Sequence, residues 1–372
     1  MTTANAATNS GLNGYGFVGA DAVGFLDTFV VGNQVGLGRV FASDSNVLNF
    51  DSLSYAKKEG AIDPLQTLAV LKRYLWLIGT ESTEIWNNTG GSPFPFSIVT
   101  GPFINFGTGS KYSVANSPDS LFWLARNKQG YGQVVEGNGY TATVVSSFGI
   151  SQLLQEYPDI SDAIGYCYQM GGHFFYVLIL PLADKTFVYD LMTHQWHEWL
   201  SADSAGKLHR HRSNCYASAY GYQFVGDYAN GNVYSLDAGV YDEVGTPIQR
   251  IRTFPHGPET VTQFGSNLVD FKRKRFWSFI ADMQVGSVGG DTPTGTFPVD
   301  GPVVSLRWSD TRGLSWGDPV LQSLGPSGNY LRSIKWSRIG MARDRVYELR
   351  WSANVFTALQ GAFVTPPDTG RS

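Results

Sequence analysis

The fold class of this chain is decided by residues 171–199, whose sequence is GGHFFYVLIL PLADKTFVYD LMTHQWHEW. The first run, which ends at Pro181, is apolar and rich in β-branched and aromatic residues, and this predicts a strand buried on both faces. At about nine residues it is too short to span a membrane. A turn leads into a second strand at 186–189, and Trp196 begins a third. Three sequential antiparallel strands form a meander, the unit of a propeller blade or a β-sandwich.

The composition of the chain favours the same fold class. The 372 residues include 43 glycines, and 14% are aromatic but only 16% charged, a balance typical of many short strands joined by tight turns. The formal net charge of -4 gives no global field for holding nucleic acid, so any DNA contact is expected to be local. Cys167 and Cys215 are too few for a disulfide scaffold, and residues 1–12 lack the features of a signal peptide. We therefore expect assembly in a reducing cytoplasm.

Strand and turn patterns recur along the chain at a spacing of roughly 40 to 50 residues, which is compatible with propeller blades. We predict an all-β, β-propeller-like fold with six or seven irregular blades of antiparallel meanders. The predicted regions are a flexible N-terminal arm at 1–12, a β-propeller core at 13–255, and closing blades or a small β-sandwich-like domain at 256–372. One helix is predicted at 150–157 with Ser151 as its cap. Residues 47–50 are predicted as a strand and residues 55–63 as a loop.

Several stretches, taken in chain order, resemble a known family. They are residues 77–86 (LIGTESTEIW), 93–96 (PFPF), 121–124 (LFWL), 172–176 (GHFFY), 189–190 (YD), 196–198 (WHE) and 336–350. Over residues 65–365 this ordered set is similar to the packaged-DNA stabilisation or tail hub (nozzle) proteins of short-tailed bacteriophages. Structural roles are expected for five residues of these stretches, namely Gly172, His173, Tyr189, Asp190 and Trp196.

The resemblance implies a virion subunit of the phage tail, assembled in the host cytoplasm into a ring of six copies below the portal and adaptor proteins. Such a ring would extend the DNA channel, help to retain packaged DNA and hold tail fibres, tailspikes or a tail needle. Double-stranded DNA would pass through it without sequence-specific binding, and no membrane insertion is expected. The family usually has more chain before the region that matches residue 15 onward, so an N-terminal blade is either missing or supplied by another protein.

Residues 309–316 (SDTRGLSW) resemble the Asp-box turn, Ser-x-Asp-x-Gly-x-Thr-Trp, of sialidase-like propellers, although Asp310 stands one place early. Such a turn stabilises a hairpin through bonds between side chain and backbone. Ser309, Gly313 and Trp316 are therefore predicted to be structural. A glycosidase would need two carboxylates at a defined separation, and no such pair stands out in the sequence.

The spacing of His194 and His197, beside Asp190 and Glu198, makes these histidines the candidates for a metal site. The flanking pattern, however, is a turn that enters a strand, and strand residues three apart face opposite sides of a sheet. We therefore predict no metal and no cofactor. His173 is expected to be a hydrogen-bonded histidine at the start of a strand.

Two basic clusters are candidates for contacts with phosphates in a DNA channel or with acidic faces of neighbouring subunits. They are Lys207, Arg210 and Arg212, and Lys272, Arg273 and Lys274. The alternative is that both are solvated hairpin loops.

The function expected from the sequence is mechanical, and no residue is predicted to be catalytic. The rivals are a carbohydrate-active, sialidase-like propeller enzyme and a monomeric ligand-binding propeller. Ring formation would separate the first interpretation from both rivals. Long loops at 55–63, 90–109 and 286–301 favour assembly, because they offer more contact surface than a lone domain needs.

Overall fold

The computed structural model describes residues 19–34, 38–61, 63–126, 130, 132–203, 205–255, 260–263, 266–269, 273–285, 303–325 and 332–364. Contacts divide the chain into two compact units, Met1–Leu236 (unit 1) and Asp237–Ser372 (unit 2). The predicted arm at 1–12 lies outside the described residues. The division falls earlier than the predicted boundary after residue 255, because Gln249–Thr253 pairs with Val346–Ser352 of unit 2.

Unit 1 consists of antiparallel meanders that follow one another along the chain. Its strands are β1 (Val23–Leu26), β2 (Phe29–Gln34), β3 (Arg39–Ala42), β4 (Tyr55–Lys57), β5 (Leu65–Leu71), β6 (Tyr74–Gly79), β7 (Thr83–Asn88), β8 (Phe96–Ile98), β9 (Gly107–Thr108), β10 (Ala115–Asn116), β11 (Leu121–Arg126), β12 (Gly132–Asn138), β13 (Thr141–Val144), β14 (Ile164–Met170), β15 (His173–Leu180), β16 (Lys185–Asp190), β17 (Gln195–Glu198), β18 (Leu200–Ala202), β19 (Leu208–Arg210), β20 (Ser213–Ala219), β21 (Tyr222–Asp227) and β22 (Val233–Leu236). Strands β1–β4 form sheet 1, β5–β8 sheet 2, β9–β13 sheet 3, β14–β17 sheet 4 and β20–β22 sheet 5, while β18 pairs with β19.

Neighbouring sheets of unit 1 pack face to face, and each interface holds one apolar cluster. Strand β15 shows the rule, because its side chains alternate between the two faces of sheet 4. Tyr176 and Leu178 join the cluster shared with sheet 3. Val177 and Ile179 join the cluster shared with sheet 5. The prediction of a strand buried on both faces is therefore confirmed, and so is the all-β, propeller-like fold; the central meander has β14 as an additional strand.

Close packing between sheets 3 and 4 requires a glycine at position 165. Gly165 lies in β14 opposite Leu178. A Cβ atom there would lie 2.2 Å from the carbonyl oxygen of Ser113, the same oxygen that accepts a hydrogen bond of 2.8 Å from the Tyr176 hydroxyl. Because the obstacle is backbone, rotation of a side chain cannot relieve the clash.

Replacing Gly165 with alanine should therefore lower the free energy of unfolding by about 1–3 kcal/mol or more. The matched control is Gly149→Ala in the helix, where no atom lies within 4 Å of the added Cβ and alanine should be neutral or stabilising by up to about 1 kcal/mol. Thermal unfolding of the two variants followed by circular dichroism checks this. Equal midpoints for both variants would contradict it.

The helix α1 (Phe148–Glu156) is the α-helix of the described residues, and its start differs from the prediction. Ser147, and not Ser151, is the N-cap, since its side chain accepts a hydrogen bond from the backbone N–H of Ile150. Ser151 instead lies inside the first turn, and its hydroxyl is hydrogen-bonded to the Ser146 hydroxyl at 2.8 Å. A short 3-10 turn also covers Lys111–Ser113. No helix of the described chain is long and apolar enough to cross a membrane.

Two further predictions about loops and strands were wrong. Residues 47–50 form an irregular loop, because Asp44 N donates to Asn49 O at 2.8 Å and closes the segment on itself. Residues 55–57, expected to be loop, are strand β4, which pairs with β3. The tertiary partner β3 compensates for the polar, aperiodic sequence there.

Unit 2 has a different topology, in which the strands of the two larger sheets are not sequential. Its strands are β23 (Asp242–Glu243), β24 (Thr246–Pro247), β25 (Gln249–Thr253), β26 (Thr260–Gln263), β27 (Ser266–Val269), β28 (Lys274–Arg275), β29 (Ser278–Val285), β30 (Val303–Ser309), β31 (Val320–Ser323), β32 (Arg332–Ser337), β33 (Met341–Ala342), β34 (Val346–Ser352) and β35 (Thr357–Val364). Sheets in the orders β25-β34-β30-β31 and β32-β29-β35 share one apolar cluster that includes Leu306, Leu349, Phe279 and Trp336. Two sheets on a common core are the arrangement of a small β-sandwich.

Candidate assembly surface

The stretch LIGTESTEIW at 77–86 encloses a buried polar network in unit 1. Lys58 Nζ lies 2.7 Å from Asp63 Oδ1, and the two side chains are only 2% and 8% exposed. Lys58 also donates to the carbonyl and hydroxyl oxygens of Ser82, at 2.9 and 2.8 Å. Burial raises the pKa of Asp63, but hydrogen bonds from Lys58, Glu81 and Ser82 lower it by more. The pKa of this carboxyl group therefore lies below its ordinary value. The network therefore holds an ion pair inside the fold.

Glu84 fixes the same segment from the other side. Its carboxylate accepts hydrogen bonds from the backbone N–H groups of Glu59 and Gly60, at 3.2 and 2.8 Å, and from the Trp86 indole at 3.0 Å. Residues 58–60 and Asp63, within the loop predicted at 55–63, are thus attached to sheet 2 and its β6–β7 turn. The sequence analysis did not identify Lys58 and Asp63 as buried. Gly79 in the resembling stretch was a signal of close packing there, because a Cβ at this position would lie 2.1 Å from Asp63 Oδ2.

The predicted structural residues of sheet 4 meet where the first and third of its hairpin turns lie side by side. Gly172, at φ 84°, supplies the left-handed backbone of the first turn. His173 Nδ1 lies 2.9 Å from Asp190 Oδ2, which also accepts from the Thr193 hydroxyl at 2.9 Å. Burial raises the pKa of Asp190, but the hydrogen bonds from Met192, His173 and Thr193 outweigh it and leave the pKa below its ordinary value. The carboxylate therefore ties the start of β15 to the end of β16.

The other residues of this group pack beside that carboxylate. Tyr189 and Trp196 have ring centroids 5.1 Å apart, and the Trp196 indole donates to the carbonyl of Val145 at 2.9 Å. The Tyr189 hydroxyl is hydrogen-bonded to His194 Nδ1 at 2.9 Å. His197 lies exposed on β17 opposite Val188. In the parts of the chain that the structure describes, no group of three or more His, Cys, Asp or Glu side chains is placed to hold a metal ion.

The first basic cluster is largely internal. Arg210 is 8% exposed, and its guanidinium lies 3.8 Å from the ring centroid of Tyr228. Arg212 is ion-paired with Asp227 at 3.3 Å. Lys207 alone is exposed. The expectation that all three residues project into a channel or solvent is therefore wrong for Arg210, because the apolar stem and cation are covered by the aromatic ring.

His211, between these arginines, is held neutral by its surroundings. Its ring is hydrogen-bonded to Ser213 Oγ at 2.8 Å and packs 5.1 Å from the Trp199 ring. Burial, with a smaller effect of Arg212, lowers its pKa to about 4. An unfolded histidine binds its proton near pH 6.5. As the pH falls below that value, the unfolded state takes up a proton that the folded state does not, and stability is lost down to about pH 4.

We expect the His211→Gln variant to lose this part of the pH dependence. Between about pH 7.5 and about pH 5, His211 should cost the natural chain about 2 kcal/mol of its free energy of unfolding. Urea unfolding at both pH values measures it, with His197→Gln, an exposed histidine on β17, as the control. An unchanged pH dependence in His211→Gln would show that the ring takes up its proton as readily in the folded chain as in the unfolded one.

The second basic cluster lies in unit 2. Lys272 falls outside the described residues. Arg273 is exposed, whereas Lys274 is 3% exposed and faces inward in β28. The alternation of a strand thus separates two residues that the sequence grouped together.

The turn at 309–316 is organised by Ser309, whose hydroxyl oxygen accepts from the N–H groups of Thr311 and Gly313, at 3.2 and 2.8 Å. Gly313 has φ 96°. Trp316 is partly buried, with the Arg307 guanidinium 4.6 Å from its ring centroid. Asp310, the residue displaced from the Asp-box pattern, forms two bonds to Arg345, at 2.6 and 2.9 Å. The one-place shift therefore gives the aspartate a partner on the loop before β34.

One face of sheet 5 packs against sheet 4, and in the described part of unit 1 no other sheet packs against the opposite face. Tyr216 and Val225 face sheet 4. By alternation and register the opposite face carries Cys215, Ala217, Tyr222, Phe224 and Val233, of which Tyr222 and Val233 are 61% and 66% exposed. Sheet 1 likewise exposes Val23 and Phe25. Exposed apolar faces of this kind mark sites that bind other macromolecules.

Stacked antiparallel meanders that share apolar interfaces are the architecture of a β-propeller. The chain belongs to the phage stabilisation family described as "Bacteriophage P22 Gp10, beta-propeller", which it matches over residues 28–241. The matched range contains nearly all of sheets 1–5. The protein is thus a phage structural protein of the stabilisation propeller family. No curated protein matches the chain.

Solved structures with some similarity are varied. The N-terminal domain of Nup159 has 11% identity and a TM-score of 0.33, covering 58% of this chain and 59% of that domain. The exo-β-1,3-galactanase of Phanerochaete chrysosporium has 10% identity and a TM-score of 0.28, covering 92% and 80%. The GH32 β-fructofuranosidase of Bombyx mori has 9% identity and a TM-score of 0.28, covering 90% and 92%. Similarity at this level carries no argument about function.

Proposed function

We propose that this protein is a tail hub (nozzle) subunit that assembles with copies of itself into a ring, six in number, below the portal and adaptor proteins. In this role it extends the DNA channel, helps to retain the packaged genome and anchors tail fibres, tailspikes or a tail needle. The virion is its location after assembly in the host cytoplasm, and its function is structural and not enzymatic. The observation that carries the proposal is the family match over residues 28–241.

The uncovered face of sheet 5 supports an assembled state. Its exposed aromatic and aliphatic side chains resemble those that are buried between the other sheets of unit 1. Leaving such area in water is unfavourable by about 25 cal/mol per Å². Burial of this face against a partner would therefore stabilise the complex, and it would need no rearrangement of the propeller.

The buried carboxylates support the structural role. Glu84 and Asp190 accept hydrogen bonds from backbone groups, and Glu348 is bonded to Arg307 at 2.7 and 3.1 Å and also to Arg350. Burial raises the pKa of Glu348, and these arginines lower it by more, so the carboxylate remains ionised. A glycosidase acid needs the opposite, a carboxyl group whose pKa is raised.

The test is electron microscopy and mass photometry of the purified full chain, alone and with the portal and adaptor proteins of the same phage. Rings are the expected result. A chain that stays monomeric in both samples, or one that hydrolyses glycans, would overturn the proposal.

Thiol labelling provides an independent readout of the covered face. Cys215 is exposed on the outer face of sheet 5, whereas burial raises the pKa of the Cys167 thiol and makes it the unreactive internal reference. Maleimide should modify Cys215 in the free chain and more slowly in the assembly. Equal rates in both states would exclude this face from the contact.

A further inference from the structure

A row of outward side chains in unit 2 combines positive charge with apolar surface. In the segment 273–277 the side chains alternate, so that Lys274 and Phe276 point inward while Arg273, Arg275 and Trp277 point outward. The Arg275 guanidinium lies 4.8 Å from the Trp277 ring centroid. We call the exposed set the basic-aromatic patch; it consists of Arg273, Arg275, Trp277, Arg338, Met341 and Arg343.

The neighbouring strand brings the remaining members alongside. Met341 is the Cα partner of Arg275 in the pairing of β28 with β33, and Arg338 N donates to Trp277 O at 2.8 Å. Trp277 and Met341 are each 44% exposed. Arginine, tryptophan and methionine are the residue types enriched at the centres of protein interfaces.

Among the residues that the structure describes, no acidic side chain is paired with Arg275 or Arg338 of the patch. Asp310 and Asp344 are bonded to Arg345 and Arg312, respectively, and Asp282 accepts a hydrogen bond from Ser333. A surface that offers both negative charge and apolar contact would therefore complement the patch.

A surface of matching chemistry occurs in unit 1. The loop at residues 43–54, here called the acidic-apolar loop, carries exposed Asp44 and Asp51 and has no lysine or arginine. Val47, Leu48 and Leu53 are 59%, 73% and 63% exposed on it. The loop therefore offers both negative charge and apolar surface.

Internal bonds hold the acidic-apolar loop in one shape. Asn49 Nδ2 donates to Asp44 Oδ2 at 2.6 Å, and Leu53 N donates to Asp51 Oδ1 at 2.9 Å. Asn46 N donates to Thr28 O at 2.8 Å. Because the loop is already ordered, a partner does not lose free energy in ordering it.

The two units also differ in overall charge. Unit 1 has 12 lysines and arginines against 18 aspartates and glutamates, a net of -6, whereas unit 2 has 15 against 13, a net of +2. Opposite charges on two parts of one chain favour contact between unlike surfaces of two copies. A contact between unlike surfaces generates a ring when its rotation closes.

We propose that the basic-aromatic patch of one copy binds the acidic-apolar loop of the next copy, and that this contact builds the assembly. The inference rests on the self-association in the proposed function. A double-stranded DNA partner would use the arginines through its phosphates but would leave Trp277 and Met341 without an apolar counterpart.

The test is the oligomeric state of full-length Arg275→Glu/Arg338→Glu, followed by mass photometry over a range of concentrations. The dissociation constant of self-association should rise about tenfold or more. Arg252→Glu/Lys335→Glu, which reverses the same charge on exposed residues outside the patch, should assemble as the natural chain does. Circular dichroism verifies folding, and Arg275→Gln/Arg338→Gln replaces the first variant if it does not fold.

The reciprocal variant is Val47→Lys/Leu48→Lys, which places positive charge on the loop without removing either aspartate. By itself, the Val47→Lys/Leu48→Lys chain should self-associate more weakly than the natural chain. A mixture of this chain with the Arg275→Glu/Arg338→Glu chain should assemble again.

If the natural chain assembles and both reversed variants assemble equally well, this inference is wrong although the proposed function stands. If the natural chain stays monomeric alone and with the portal complex, the proposed function itself fails. If the patch variant assembles normally but loses binding to a labelled DNA duplex measured by fluorescence anisotropy, the patch is a nucleic-acid surface and the inference is overturned.

Discussion

Replacing Lys58 with methionine should lower the free energy of unfolding of unit 1 by about 3–5 kcal/mol, because the change leaves the buried Asp63 carboxylate without its cation. The ammonium is bonded to Asp63 and to both oxygens of Ser82, and methionine fills a similar volume without supplying a proton. Hydrogen exchange of peptides that cover β5–β7 measures the loss in unit 1 itself, and thermal unfolding gives an independent value.

Lys57→Met is the matched control for that prediction. Lys57 is adjacent in sequence but exposed on strand β4, so the same chemical change should alter the free energy of unfolding by no more than about 0.5 kcal/mol. Equal losses in the two variants would mean that Lys58 is solvated in the native protein and that the network does not fix the segment 58–63.

Replacing Trp123 with alanine should be as costly, at about 3–5 kcal/mol, because it opens a cavity between sheets 2 and 3. The side chain is fully buried, and its ring packs edge to face against Trp76 with centroids 6.2 Å apart. Its indole N–H also donates to the carbonyl oxygen of Gly107 at 3.2 Å. The variant therefore loses packing and leaves a buried acceptor without its donor.

Phe148→Ala provides the comparison for Trp123. Phe148 begins α1 and is 85% exposed, so removal of its ring should change stability by no more than about 0.5 kcal/mol. The measurement is urea unfolding of both variants by circular dichroism. A loss below about 1 kcal/mol for Trp123→Ala would show that sheets 2 and 3 repack freely.

The resembling stretch at 77–86 acquires a physical meaning in the structure. Its apolar residues face two neighbouring sheets, with Leu77 in the cluster shared with sheet 1 and Ile78 in the cluster shared with sheet 3. Its polar residues, Ser82 and Glu84, bind the segment that joins sheets 1 and 2. The same ten residues thus connect three sheets, and this accounts for an apolar core motif that contains so many polar residues.

The sequence by itself determined the fold class and the central meander. After its first residue the run at 173–180 has no polar side-chain group except the Tyr176 hydroxyl, so it is most stable between two apolar layers. The glycine pair at Gly171 and Gly172 determined where β15 begins. The polar turn residues Asp190, Thr193 and His194 determined where β16 ends. These are local properties of the chain, and local chemistry is sufficient to specify them.

Only the tertiary structure decided which charged residues are internal. Lys58, Asp63 and Arg210 lie in polar stretches that are typical of exposed loops. Lys58 and Asp63 pair locally, but both also need Ser82 from the β6–β7 turn, and Arg210 needs Tyr228. Pairing of β3 with β4 likewise turned a polar segment into a strand. Burial of a charge depends on a partner distant in the sequence, and one segment read alone contains no information about that partner.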